Sequence, residues 1–138
     1  MKSCKIASLI AGLLLSTQVF ADVAIVVHPT NSTALSDSDI SRAFLGKLKK
    51  FDGGSAISVV NQKVGEAART EFDQKVLHKS SSQVKAYWSK RLFSGKGKPP
   101  KELASDADVL KFVAGNANAI GYVNKASVDS SVKVLKSF

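Results

Sequence analysis

Val59-Val60-Asn61-Gln62-Lys63-Val64-Gly65-Glu66-Ala67-Ala68-Arg69 changes character twice within a few residues. It leaves a short apolar run, Ile57 to Val60, with the length and β-branched content of a buried strand. It breaks at Gly65. It then enters a segment where Phe72, Val76 and Leu77 fall on one helical face, which predicts a helix from about Glu66 to Leu77. A strand passing through a glycine turn into a helix is the mark of an α/β layer, and the rest of the chain repeats that alternation.

Upstream, Asp22 to Val27 is a β-branched run closed by His28-Pro29, the pattern of a buried first strand. Ser36-Asp37-Ser38-Asp39 is a helix start, with acidic groups at the positive end of the dipole. Ile40, Phe44 and Leu45 follow at helical spacing, and Gly46 can close that helix. Lys47 to Ser55 is a polar loop that turns at Asp52-Gly53-Gly54. Downstream, Ser80-Ser81-Ser82 caps a helix carrying Val84, Tyr87, Trp88 and Leu92 inward. Phe93 to Lys101 reads as a loop. Ser105, Asp106 and Asp108 start a further helix with Val109, Leu110, Phe112 and Val113, ended by Gly115-Asn116. Ala119 to Val123 and Val132 to Leu135 supply two more strands. The expected architecture is a single three-layer α/β lobe, with a mixed, mostly parallel sheet and helices on both faces. Neither an internal repeat nor an interdomain linker is visible.

Residues 1–21 read as a cleaved signal peptide: Lys2 and Lys5 precede the apolar run Ile6 to Leu15, and Val19-Phe20-Ala21 offers a cleavage site. The run is too short for ~30 Å of hydrocarbon. The remaining domain, 22–138, is long enough to bury roughly 65% of its unfolded surface. The single cysteine, Cys4, leaves with the signal, so the domain has no disulfide, thiol nucleophile or thiolate metal site. A periplasmic location follows from the signal. Net charge falls from +9 to +7 without Lys2 and Lys5, a balance that concentrates anions or docks on acidic surfaces. Few aromatics and no recognition motif argue against nucleic acid. His28 and His78 lie at no metal-ligand spacing, no serine elbow is present, and the acids cluster at helix starts. The reading is therefore not an enzyme, with no catalytic residues, no metal and no cofactor.

Four signatures recur in order: Phe44-Leu45-Gly46-Lys47, Arg69-Thr70-Glu71-Phe72, Tyr87-Trp88 and Ala119-Ile120-Gly121-Tyr122-Val123. Their order and spacing resemble one lobe of the phosphate-binding proteins that serve ABC importers, which are type II periplasmic binding proteins. The resemblance covers nearly all of the chain after residue 22. It implies non-covalent binding of inorganic phosphate or a similar oxyanion, an ABC permease or another periplasmic protein as partner, and the strand-to-helix junction as the site. A helix N-terminus offers free N–H groups and a favourable dipole to an anion. The implied ligand set is the backbone of Gly65, Glu66, Ala67 and Ala68 with the charge of Arg69, and Gln62 and Thr70 as auxiliary donors. The family carries Ser-Gly-Thr where this chain has Glu66-Ala67-Ala68, and an arginine where it has Gln62. Glu66 either faces the anion, which it would repel, or points to solvent at the helix start.

From the residues alone, Gly65 reads first as a turn residue and Arg69 as a surface charge, since helix starts greatly outnumber anion sites. Phe44, Phe72, Trp88 and Phe112 read as core, Gly121 as a point of close packing, and Tyr122 OH as satisfied by nearby backbone. Lys96-Gly97-Lys98-Pro99-Pro100-Lys101 lacks the Walker pattern and reads as a solvated loop or a docking surface for an acidic partner. Two functions emerge: an exported solute-binding protein of the phosphate-importer kind, or a degenerate lobe acting as a periplasmic interaction module without transport. A homodimer that rebuilds a two-lobed cleft reconciles them.

Overall fold

Every residue of β1 (Val23–Val27) is buried. Val23, Ile25 and Val27 enter one apolar core while Ala24 and Val26 enter another. A strand covered on both faces reads as a continuous apolar run, which is why the start of the domain shows no alternation. The computed structural model describes residues 22–138. The signal sequence expected over 1–21 lies outside the described residues.

The other elements are α1 (Asp37–Phe44), β2 (Ser58–Gln62), α2 (Ala67–Lys75), α3 (Ser81–Phe93), β3 (Lys101–Leu103), α4 (Asp106–Ala114), β4 (Ala119–Asn124), a 3₁₀ turn at Lys125–Ser127, and β5 (Lys133–Ser137). They build one sheet in the order β3-β2-β4-β1-β5. Strands β3, β2 and β4 are parallel, whereas β1 is antiparallel to both of its neighbours, β4 and β5. All described strands except β1 thus point the same way, the mixed, mostly parallel sheet anticipated above. Ile40, Phe44, Phe72, Val84 and Trp88 from α1, α2 and α3 pack on one face. Val109, Leu110 and Val113 of α4 pack on the other, completing three layers.

Serine caps set three helix starts. Ser36 Oγ accepts from the Asp39 N–H (3.1 Å), and the Asp39 carboxylate accepts from the Ser36 N–H (3.3 Å). Ser80 and Gln83 form the same reciprocal box at α3, and Ser105 caps α4 through the Asp108 N–H. Each such cap contributes about 1 kcal/mol. Gly121 confirms the close-packing reading: a Cβ there would lie 2.8 Å from Val109 Cγ1 and 3.0 Å from Val60 Cγ2. The absent side chain lets α4 press on the sheet.

Three expectations change. Leu92, expected inward, is 59% exposed, because α3 buries only Val84 and Trp88 and its last turn overhangs the core. Phe112 is half-buried at the rim of the second core rather than inside it. Residues Lys101–Leu103, expected as the end of a loop and the residues after it, form edge strand β3, paired with Val60–Gln62. That pairing is made by backbone and needs no apolar pattern.

Candidate functional site

Parallel strands β2, β3 and β4 end together, and α2 and α4 begin there. Open α/β sheets receive ligands at that end. After Gln62 the chain turns through Gly65 at φ +100°, a conformation glycine adopts without penalty, and the Glu66 N–H donates to the Lys63 carbonyl (3.2 Å). Glu66 is the N-cap residue of α2, yet its side chain makes no capping bond and is exposed. Of the two directions open to Glu66, the structure takes the solvent one. The first N–H groups of α2 are left without a side-chain cap. Ala67 is exposed and Ala68 buried, and neither brings a hydroxyl. The Thr70 hydroxyl turns back to the Glu66 carbonyl at 3.5 Å.

Arg69 is not a surface charge. It is 4% exposed, with Nε donating to Asp73 Oδ2 at 2.9 Å and Nη1 to the Gln62 carbonyl at 2.8 Å. Glu102 Oε1 is 3.5 Å from Nη1. Its partners lie on β2, β3 and α2 itself, so the guanidinium ties the helix to the strand ends. Burial pushes the Asp73 carboxyl above its ordinary value of 3.8, and the adjacent guanidinium only partly offsets that. Asp73 Oδ1 has no partner and is sealed from solvent. The Gln62 amide is committed as well: Nε2 donates to Asp106 Oδ1 (2.7 Å) and to the Tyr122 carbonyl (3.0 Å). Asp106 Oδ2 accepts from the Ser127 hydroxyl (2.7 Å) and the Asn124 N–H (3.3 Å). The structure therefore brings Gln62, Arg69 and the α2 start together, and gives the donors of Gln62 and most of those of Arg69 partners within the protein.

The four signatures meet in space. Phe44 and Phe72 have ring centroids 4.5 Å apart, and Phe72 stacks on Tyr122 at 3.9 Å with the planes 2° from parallel. Gly46, at φ +74°, faces Trp88 so closely that a Cβ would lie 2.9 Å from the indole. Tyr87 OH donates to the Leu45 carbonyl at 2.7 Å. The Tyr122 hydroxyl accepts from the backbone N–H of Gln62 (3.2 Å) and donates to Asn61 Oδ1. Burial pushes the Tyr122 phenol far up, so it stays protonated. The signatures thus build a core that holds the β2–α2 junction from behind.

Sequence reasoning missed Asn61, Asp73, Glu102 and Asp106 as members of this assembly. Arg69 and Asp73 stand four residues apart on one helix, a spacing that places them side by side and was the available signal. Asp106, read as a capping acid, instead fastens β2 to β4 and the 3₁₀ turn.

No family model matches the chain, and no curated protein does. Solved structures do. An ABC-type phosphate transport receptor from Vibrio cholerae aligns with a TM-score of 0.66 at 21% identity, over 84% of this chain and 46% of the receptor. A Clostridium perfringens protein described as a phosphate ABC transporter substrate-binding protein, solved with bound phosphate, aligns with a TM-score of 0.62 at 22% identity, over 84% of this chain and 45% of its own. PstS from Borrelia burgdorferi gives 0.62 at 13% identity, over 85% and 48%. The fold is that of these phosphate receptors. The chain spans about half of their length.

Proposed function

We propose that the protein is an exported, non-enzymatic solute-binding protein that takes phosphate or a similar oxyanion on the backbone N–H groups at the start of α2, in the periplasm. The observation that carries this reading is the uncapped first turn of α2 at the carboxyl end of a parallel strand, in the fold of solved phosphate receptors. The dipole and the free N–H groups favour an anion there. The charge of Arg69 reaches it reduced by Asp73, and an unenclosed site leaves each hydrogen bond little better than one to water. Affinity is then modest for a single copy, and a second copy or an ABC permease that covers the junction would raise it.

Phosphate titration of the purified protein tests this, followed by thermal shift and calorimetry with sulfate at matched ionic strength. Saturable stabilisation growing as RT ln(1 + [L]/Kd) is expected with phosphate. Glu66→Gln, which removes the nearest carboxylate, should tighten binding by roughly threefold. A flat response up to about 10 mM phosphate in both proteins overturns the reading.

One observation favours a second reading. Phe93, beside the lysine-rich 96–101 loop, is 94% exposed, and an exposed aromatic next to cationic residues suits a protein partner better than a solute. In that case the lobe is a periplasmic interaction module with an acidic partner, and a flat phosphate response is the expected result.

A further inference from the structure

We infer that the cleft between α3 and the ends of β2 and β3 is a second ligand site, for a monocarboxylate carried on an apolar body. The cleft has a volume of about 480 Å³, within the range of roughly 300–1,000 Å³ that small organic ligands occupy. Val64, Trp88, Leu92, Pro99 and Pro100 make its apolar walls. Val64 and Leu92 are 60% and 59% exposed, so apolar surface faces the space that a ligand would fill.

Two polar wall residues turn an apolar slot into a recognition site. Asn61 and Arg69 are 5% and 4% exposed. Asn61 Oδ1 accepts from the Gln62 N–H (2.9 Å) and the Tyr122 hydroxyl. A backbone N–H needs an acceptor, so that contact fixes the amide with Nδ2 on the opposite side. Nδ2 has no partner among the described residues, and neither does Arg69 Nη2, whose Nε and Nη1 are engaged. Neither atom is among the buried polar atoms sealed from solvent without a partner. Both are therefore reachable through the cleft they line. Two N–H donors on rigidly held planar groups suit a single carboxylate better than a hydrated dianion. Lys85 in the lining supplies cationic charge, while Glu102, also in it and 3.5 Å from Arg69 Nη1, opposes an anion. Inorganic phosphate, with no apolar body to bury, gains nothing from Val64, Trp88 or the prolines. This site shares Arg69 with the α2 junction but goes beyond it, since Gly65 to Ala68 do not line the cleft.

Trp88 is the only tryptophan in the chain and lines the cleft, so its fluorescence reports occupancy directly. The probes are 4-phenylbutyrate, its neutral analogue 4-phenylbutanol, and inorganic phosphate, titrated into the full purified protein. The acid should give a saturable change, with the alcohol about tenfold weaker, the loss of one charge-assisted hydrogen bond. Phosphate should give none. Glu102→Gln, on a half-exposed side chain, should tighten the acid by roughly threefold and leave the alcohol unchanged. Leu92→Ser should weaken acid and alcohol together. Asn61→Asp keeps the acceptor for Tyr122 and Gln62 and replaces the free donor by a carboxylate, so it should abolish acid binding while the alcohol still binds. Should that variant fail to fold by circular dichroism, Glu102→Gln decides. Equal binding of acid and alcohol, no saturation by the acid at about 5 mM, or an unchanged or weaker acid affinity in Glu102→Gln each overturns the proposal. A phosphate response without an acid response also overturns it, and leaves the α2 junction as the site.

Discussion

Under α4 the sheet presents Val60, Val123 and the small residues Ala24, Ala119 and Gly121, covered by Val109, Leu110 and Val113 of the helix. Under α1, α2 and α3 it carries the rings of Phe44, Phe72 and Tyr122 and, next to them, a buried polar chain from the Asn61 side chain and the Gln62 backbone to Arg69 and Asp73. The aliphatic face is held mainly by area and close contact, which have no direction, with Asp106 bonded to Gln62 and Ser127 only at its edge. The aromatic and polar face is held by stacking and hydrogen bonds, which do. The directional side is also the side that ends at the β2–α2 junction and the cleft. Packing without direction sustains the domain, and packing with direction aims its donors.

The sharpest break of that contrast is Phe72→Ala. The ring lies between Phe44 and Tyr122, is fully buried, and anchors α2. Its removal should cost about 4 kcal/mol, whereas Val113→Ala on the other face should cost about 2 kcal/mol or less. Urea unfolding followed by circular dichroism compares them. Equal losses would mean that the aromatic cluster is ordinary core.

Removal of the Asp73 carboxyl comes next. Made as Asp73→Ala, so that the acceptor is lost and not only its charge, it leaves Arg69 Nε and the buried guanidinium without their carboxyl partner, which should cost about 3 kcal/mol. The double change Arg69→Met with Asp73→Leu should recover most of that, because a buried ion pair is often no better than an apolar pair of similar volume. If the double variant is as unstable as the single one, the bond from Arg69 to the Gln62 carbonyl (2.8 Å) is the important contact. On the aliphatic face the corresponding test is Gly121→Ala, expected to cost about 2 kcal/mol by overpacking. Val109→Ala in the same chain should restore part of it, since Val109 Cγ1 is the atom the new Cβ meets first.

Those two faces were unequally legible in the sequence. The aliphatic face and the helix starts are local: Ser36, Ser80 and Ser105 announce their helices within one turn, and β1 and β4 declare themselves by composition. The aromatic signatures pointed correctly to core and to the fold of phosphate receptors. What stayed hidden depends on contacts distant in sequence. Gln62 bonds Asp106, and Tyr122 bonds Asn61. Only the four-residue spacing to Asp73 separates an arginine buried against that acid from one aimed at an anion. Edge strand β3 was unreadable for a related reason, because Lys101-Glu102-Leu103 joins the sheet through its backbone alone. Leu92 was misread because helical periodicity shows a face without showing where the partner layer ends.

The smallest expected effect is also the most direct check on the polar chain. Two aspartates should titrate on opposite sides of 3.8, and a ¹³C NMR titration of the side-chain carboxyls can separate them. Asp73 lies above because burial disfavours its charge. Asp129 lies below because the hydroxyl and N–H of Ser131 donate to its carboxylate. Their linkage to stability has opposite signs. At Asp73 the folded state holds its proton more tightly, so its contribution grows as pH falls through the folded value and is complete below the unfolded one. At Asp129 the contribution is present above the unfolded value and is lost as pH falls through the folded one. Ser131→Ala should return Asp129 toward 3.8 and leave Asp73 where it is. An Asp73 carboxyl that titrates at or below 3.8 would show that the attraction of the Arg69 guanidinium outweighs burial, and the directional face would then be tied by an ion pair that acid breaks rather than one that acid relieves.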